Sequence, residues 1–133
     1  PAEVTIEAID ETHLINTDAL AADYANYKIV DVRADEEYEG QVLYGEAKGG
    51  HLPGAIHIRY TDLFNEDCTL KTNEEIIAMF EAAGLAKTDN IVTYCTAGIR
   101  SAYMQLILEM CGYENTWNYD ESYYRWCACQ EVE

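Results

Sequence analysis

The chain is expected to fold as an α/β domain: a three-layer, mainly parallel five-stranded sheet with helices on both faces. Three observations lead there. Short β-branched runs such as Ile29-Val30-Asp31-Val32 and Ile91-Val92-Thr93-Tyr94 alternate with helical patterns. No hairpin signal joins neighbouring strands, which leaves crossover connections and therefore parallel pairing. With 133 residues and 49% hydrophobic side chains, the chain can bury roughly two-thirds of its unfolded surface in one core.

Taken in order, residues 1–12 are acidic and aperiodic and read as a linker or N-terminal arm, with 13–133 as a single domain. His13-Leu14-Ile15 is a first short strand. Thr17-Asp18 offers an N-cap for a short helix running to Tyr24. Residues 28–33 form a central strand with a charged end, and 34–40 a brief helical turn closed by Gly40. The glycine-rich stretch 41–50 is irregular. Pro53-Gly54 marks a turn before a strand at 55–58, and 60–64 a helical turn. Asn73 caps an amphipathic helix over 74–83, with Ile76, Ile77, Met79 and Phe80 inward and Gly84 at its end. After the strand at 91–94, Ile99, Met104, Leu106, Ile107, Leu108 and Met110 predict a well-buried helix that stops at Gly112. A last strand at 116–119 and an aromatic-rich helix at 121–127 complete the pattern.

The chemistry concentrates at Cys95-Thr96-Ala97-Gly98-Ile99-Arg100-Ser101. Here a cysteine sits at the carboxyl end of a strand, before a small-residue turn and a helix N-terminus. In parallel sheets, ligands bind beyond the carboxyl ends of the strands. A loop curled around Cys95 aims backbone N–H groups inward, and the helix start adds unpaired donors. Such donors, with the nearby Arg100 cation, favour thiolate over thiol. Between residues 90 and 108 there is no Asp or Glu, although the chain carries 25 acidic residues against 8 Lys and Arg. A buried strand and helix explain the missing acids; they do not explain a cysteine followed by Thr-Ala-Gly and an arginine.

The formal net charge of −17 argues against nucleic acid and anionic membrane surfaces as partners. No apolar run approaches the ~20 residues that span a bilayer, and no signal-peptide pattern opens the chain. The start at Pro1, without methionine, suggests a processed form or a piece excised from a longer chain. Five cysteines at irregular spacing do not form a disulfide framework, so a reducing, cytoplasmic setting is expected. Cys68 and Cys111 read as packing residues. Cys127-Ala-Cys129 has the spacing of a metal half-site or a resolving dithiol, yet no second half-site accompanies it. No metal and no cofactor is expected.

Four stretches, in order, make the chain resemble a rhodanese domain. They are Ile29-Val30-Asp31-Val32-Arg33 with Glu37-Tyr38; Gly50-His51-Leu52-Pro53-Gly54-Ala55; Cys95-Thr96-Ala97-Gly98-Ile99-Arg100; and Tyr119-Asp120-Glu121-Ser122-Tyr123-Tyr124-Arg125-Trp126. Tyr44-Gly45-Glu46-Ala47 and the Tyr-Asp-x-Ser ending are similar to the C-terminal catalytic domain of tandem thiosulfate sulfurtransferases. That resemblance implies an inactive N-terminal sister domain in the full chain. It also implies a reaction in which Cys95 takes a sulfane sulfur from a small anionic donor such as thiosulfate. The resulting persulfide passes its sulfur to cyanide or a thiol. The N–H groups of Thr96, Ala97, Gly98, Ile99 and Arg100 would hold the persulfide, and Arg100 would bind the donor's sulfonate end.

Supporting roles fall to Asp31, Arg33, His51 and Arg125. Asp31 would brace the loop or steer an acceptor, Arg33 would pair with Glu36 or Glu37, and His51 would brace its turn. Where the tandem enzymes read Tyr-Asp-Gly-Ser-Trp-x-Glu-Trp, this chain has Glu121, Tyr123 and Arg125 at the glycine, first tryptophan and glutamate. Those changes bear on acceptor specificity at the pocket rim.

Two rival readings stand beside sulfur transfer. Cysteine-based phosphatases and arsenate reductases also place a thiolate in an anion-binding loop. Their signature needs five residues between Cys and Arg, and only Thr96, Ala97, Gly98 and Ile99 intervene here. The other rival is a rhodanese-like module kept for binding or regulation. Such modules often lack the cysteine or the small loop residues, and this chain has both.

Overall fold

A computed structural model describes residues 8–133. Of the expected arm, residues 1–7 lie outside the described residues, and 8–12 are exposed without helix or strand.

Strands β1 (Lys28–Asp31), β2 (Ile56–His57), β3 (Ile91–Tyr94) and β4 (Thr116–Asn118) form one parallel sheet in the order β2-β1-β3-β4. Side chains alternate across it, as the pleat requires. Val30 and Ile91 enter one core, with Ile76 and Phe80 of α3 (Asn73–Ala82) and Met104, Ile107 and Leu108 of α4 (Ile99–Met110). Ile29, Val92 and Tyr94 enter the other, with Leu20 of α1 (Thr17–Ala22) and Tyr123 and Trp126 of α5 (Ser122–Cys129). Helices on both faces explain why every position of β3 is buried, and why it reads as a continuous apolar run. Each fully buried Leu, Ile or Phe contributes about 1.5–3 kcal/mol.

The sheet has four strands where five were expected. Leu14 makes a single parallel bridge to Asn118, flanked by hydrogen bonds from Ile15 N (3.1 Å) and to His13 O (2.8 Å). A strand cannot continue because α1 begins at once: Asn16 Oδ1 accepts from Ala19 N at 2.9 Å and caps it. This cap, and that of α3, fall one residue before the expected ones. Thr72 and Glu75 form a reciprocal capping box on α3.

The α4 helix also departs from expectation. Ile99, Leu106 and Met110 are exposed by 81%, 57% and 48%. They occupy one stripe at i, i+7 and i+11, opposite the buried stripe through Ser101, Met104, Gln105 and Leu108. The helix is therefore apolar on two faces, and one of them meets solvent beside the Cys95 loop. Short α2 (Asp35–Tyr38) and 3₁₀ turns at Tyr24–Asn26 and Tyr60–Leu63 complete the fold.

Candidate active site

Cys95 follows the last residue of β3, and α4 begins four residues later. The intervening loop is shaped from behind. Tyr123 N and Tyr124 N, at the start of α5, donate to the carbonyls of Cys95 (3.0 Å) and Thr96 (3.1 Å). Asn118 Nδ2 donates to Gly98 O at 3.1 Å. Ser122 Oγ accepts from Cys95 N at 3.2 Å and donates to Tyr119 O at 2.7 Å. With the carbonyls held outward, the loop N–H groups turn in toward sulfur. Gly98 caps α4 at φ +88°, and a Cβ there would stand 2.5 Å from Asp120 O. Only glycine fits both the backbone angle and the gap.

Gly98 N–H donates to Cys95 Sγ at 3.1 Å, and Ser101 Oγ–H donates to it at 3.5 Å. Burial pushes this thiol up. The Ser101 hydroxyl and the backbone N–H groups of Ser101, Ala97 and Gly98 outweigh burial, so the net shift is down, toward thiolate. Cys95 is only 2% exposed and lines a cavity of about 600 Å³, which opens its sulfur to the outside. Thr96, Ala97 and Ile99 line it from the loop; Tyr44, Tyr60 and Tyr124 come from elsewhere.

Arg100 lines the cavity too, and its guanidinium is engaged. It makes a two-pronged pair with Glu37, at 2.8 Å to Oε2 and 2.9 Å to Oε1, and donates to Thr96 Oγ1 at 2.8 Å. Thr96 Oγ1 in turn donates to Glu37 Oε1 at 2.6 Å. Glu37 is almost fully buried. Burial would raise its pKa, but hydrogen bonds from Arg100, Thr96 and the Ala34 N–H hold it down to about 2. It is a full carboxylate, and its hydrogen bond and charge push Arg100 up.

Arg33 does not pair with Glu36 or Glu37 as expected, because Arg100 occupies Glu37. Its partner is Asp31, two residues away on the same strand end, at 2.7 Å. Arg33 also donates to Gly50 O at 2.8 Å and lies under the Tyr123 ring, 4.0 Å from its centroid. The Asp31 carboxylate further accepts from Tyr94 Oη, which itself accepts from Leu52 N at 3.0 Å. Both members of the pair are buried, and Asp31 braces the carboxyl end of β3 through Tyr94 rather than facing the cavity. His51 Nδ1 meets Tyr38 O at 3.0 Å, and its ring stacks on the Tyr38 ring of α2. Arg125 is exposed on α5 and lies outside the cavity wall, whereas its neighbour Tyr124 lines it.

The structure thus gathers Cys95, its loop and Arg100, and leaves Asp31, Arg33, His51 and Arg125 around them. It adds residues to which the sequence reading gave no role. Ser101 carries a local signal, since a hydroxyl in the first turn of a helix faces back over the preceding loop. Tyr44 and Ser122 stand in the family-like stretches, but only the fold shows that Tyr44 lines the cavity and that Ser122 backs the loop; Tyr60, opening a 3₁₀ turn, carries no signal. Ser122 adopts φ +54°, a backbone angle that sequence pattern does not disclose in a non-glycine residue. Among the described residues, no group of three or more His, Cys, Asp or Glu could hold a metal ion. No helix there is long and apolar enough to cross a membrane.

Known proteins resemble the chain in sequence and in fold. It is 36% identical over 106 residues to the "Sulfur carrier protein TtuD" of Thermus thermophilus, covering 74% of this chain and 37% of that protein. It is 35% identical over 105 residues to a "Putative thiosulfate sulfurtransferase" of Haloferax volcanii, with the same two coverages. The chain therefore spans little more than a third of the length of these relatives. Among solved structures, wild-type EanB superposes with a TM-score of 0.81 at 22% identity, covering 91% of this chain and 31% of that one. The anaerobic ergothioneine biosynthesis enzyme of Chlorobium limicola gives 0.77 at 22% identity, covering 86% and 29%. Residues 16–129 match the family model of the rhodanese-like domain, and the chain belongs to that family.

Proposed function

We propose that the chain is a sulfurtransferase domain that carries sulfane sulfur as a persulfide on Cys95. The observation that carries this reading is the Cys95 sulfur itself: buried, lowered in pKa, and held by Gly98 N–H and Ser101 Oγ–H at the floor of an open cavity. The thiolate attacks the outer sulfur of a donor such as thiosulfate. A Cys95 S–S bond forms, the donor's S–S bond breaks, and sulfite leaves with the electron pair. The terminal persulfide sulfur inherits the negative charge and sits among the loop N–H groups. Attack on that sulfur by cyanide or a thiolate returns Cys95 as thiolate.

The names of the relatives support this chemistry, as does an EanB structure described with ergothioneine covalently linked to a persulfide cysteine. Four residues between Cys95 and Arg100 close a small loop, sized for one sulfur atom rather than a tetrahedral oxyanion. Arg100 is proposed to tie the loop to Glu37 with its guanidinium beside the sulfur. Binding a sulfonate would require it to leave Glu37.

The test is the intact mass of the protein before and after thiosulfate or another sulfane donor, with Cys95→Ser alongside. The expected result is a gain of one sulfur atom, reversed by cyanide and absent in the mutant. A gain that persists in Cys95→Ser and requires Cys127 or Cys129 would overturn the site.

A further inference from the structure

The cavity over Cys95 has unusual walls for a site meant to capture a small dianion. Arg100 is its only charged residue among the described lining residues, and that charge is neutralised by an ionised, buried Glu37. The adjoining groove repeats the arrangement. Arg59 there pairs with Asp35 and Asp62, both at 2.8 Å, and Arg33 pairs with Asp31. A donor entering the site meets the Cys95 thiolate with no unpaired cation in the wall to balance a second negative charge. The remaining wall is an apolar and aromatic rim: Tyr44, Tyr60, Tyr124 and Ile99. Tyr44, Tyr124 and Ile99 are exposed by 60%, 52% and 81%, so they present surface to whatever fills the cavity mouth. Its volume of about 600 Å³ lies in the range of pockets that bury organic ligands with a substantial apolar body.

Building on the sulfurtransferase reading, we infer that this site selects small organic sulfane-sulfur donors whose leaving group carries an aromatic or branched apolar body and at most one negative charge. Ile99, Tyr44 and Tyr124 are the specificity-determining residues. The reaction is unchanged in kind. With an aryl thiosulfonate, the Cys95 thiolate forms a bond to the sulfane sulfur, the S–S bond to the sulfonyl sulfur breaks, and an aryl sulfinate departs with the electron pair. One thiolate and one monoanion give one persulfide anion and one sulfinate. The aryl ring takes the place of one oxyanion of thiosulfate and packs against the rim.

The experiment compares benzenethiosulfonate with thiosulfate as donors, following sulfur gain on Cys95 by rapid-quench mass measurement. N-acetylcysteine serves as a reference thiol to remove the donors' intrinsic difference in reactivity. The preference for the aryl donor is expected to exceed that of the reference thiol by about tenfold or more, the scale of a buried aromatic contact plus a removed charge. Tyr44→Ala and Tyr124→Ala, at exposed positions outside the persulfide-binding loop, should each slow the aryl donor by about three- to tenfold while leaving thiosulfate within about twofold. A preference no greater than that of the reference thiol, or equal slowing of both donors in the rim variants, would overturn the inference and leave sulfur transfer standing. Failure of both donors to load wild-type protein would overturn the sulfurtransferase reading, and this inference with it.

Discussion

Two guanidinium–carboxylate pairs sit at neighbouring strand ends, and they are built for different tasks. Arg33–Asp31 is closed on every side, with side-chain exposures of 1% and 0%. Burial works against its charge, and the hydrogen bond and charge of Asp31 more than offset that, raising the Arg33 pKa. Arg100–Glu37 is closed on one side only: Glu37 is 1% exposed, Arg100 is 24% exposed and faces the Cys95 cavity. Arg33 and Asp31 both sit at the end of β1, whereas Glu37 in α2 and Arg100 in α4 join the helices that follow β1 and β3. The closed pair fixes the backbone of β1 against Tyr94 and the 50–52 turn. The half-open pair fixes the loop that holds the sulfur and neutralises the wall of the site. A pair's burial on both sides, rather than its charge, separates architecture from chemistry here.

That contrast can be broken by substitution. Arg33→Met leaves Asp31 in the core without its cation and is expected to cost about 3–5 kcal/mol, read as a lower urea midpoint. Arg100→Met opens Glu37 to cavity water, so the expected loss is smaller, about 1–3 kcal/mol, while sulfur loading falls as the loop loosens. Equal destabilisation by the two, with loading intact in Arg100→Met, would erase the distinction.

Acid sharpens it. The Glu37 pKa falls on folding, from its ordinary 4.5 to about 2. Its contribution is therefore complete above about pH 4.5 and lost as pH drops toward 2, amounting to at most about 3 kcal/mol. The Arg100→Met protein should show a shallower fall in stability across that window. An unchanged slope would mean that Arg100 is not what holds Glu37 ionised.

The smallest expected effect probes the sulfur alone. Loading should rise with pH and level off below the range of an ordinary thiol. Ser101→Ala should move that midpoint up by at most about one unit, with little change in stability. A midpoint that stays put would assign the lowering to the backbone N–H groups alone.

The amino-acid sequence by itself determined the layering and the place of the Cys95 sulfur at the end of a strand. Short β-branched runs at 28–31 and 91–94, a capping residue expected at Asn73 before an amphipathic helix, and a cysteine between a strand and a small-residue turn are local signals. Each is set by backbone geometry within a few residues. Local reading failed where two elements compete for the same residues. His13-Leu14-Ile15 has strand character, yet the Asn16 cap draws the chain into α1 after one bridge. Ile99, Leu106 and Met110 look like core residues, yet α4 can turn only one stripe toward the sheet. What only the tertiary structure decided was pairing at a distance. Arg33 had four carboxylates within four residues along the chain, Asp31, Asp35, Glu36 and Glu37, and the sequence reading chose between Glu36 and Glu37. The fold brought Arg100, 63 residues further on, to Glu37 instead, and so left Arg33 with Asp31. A guanidinium settles on the carboxylate whose burial most needs it, and burial is a property of the assembled molecule, not of the neighbouring sequence.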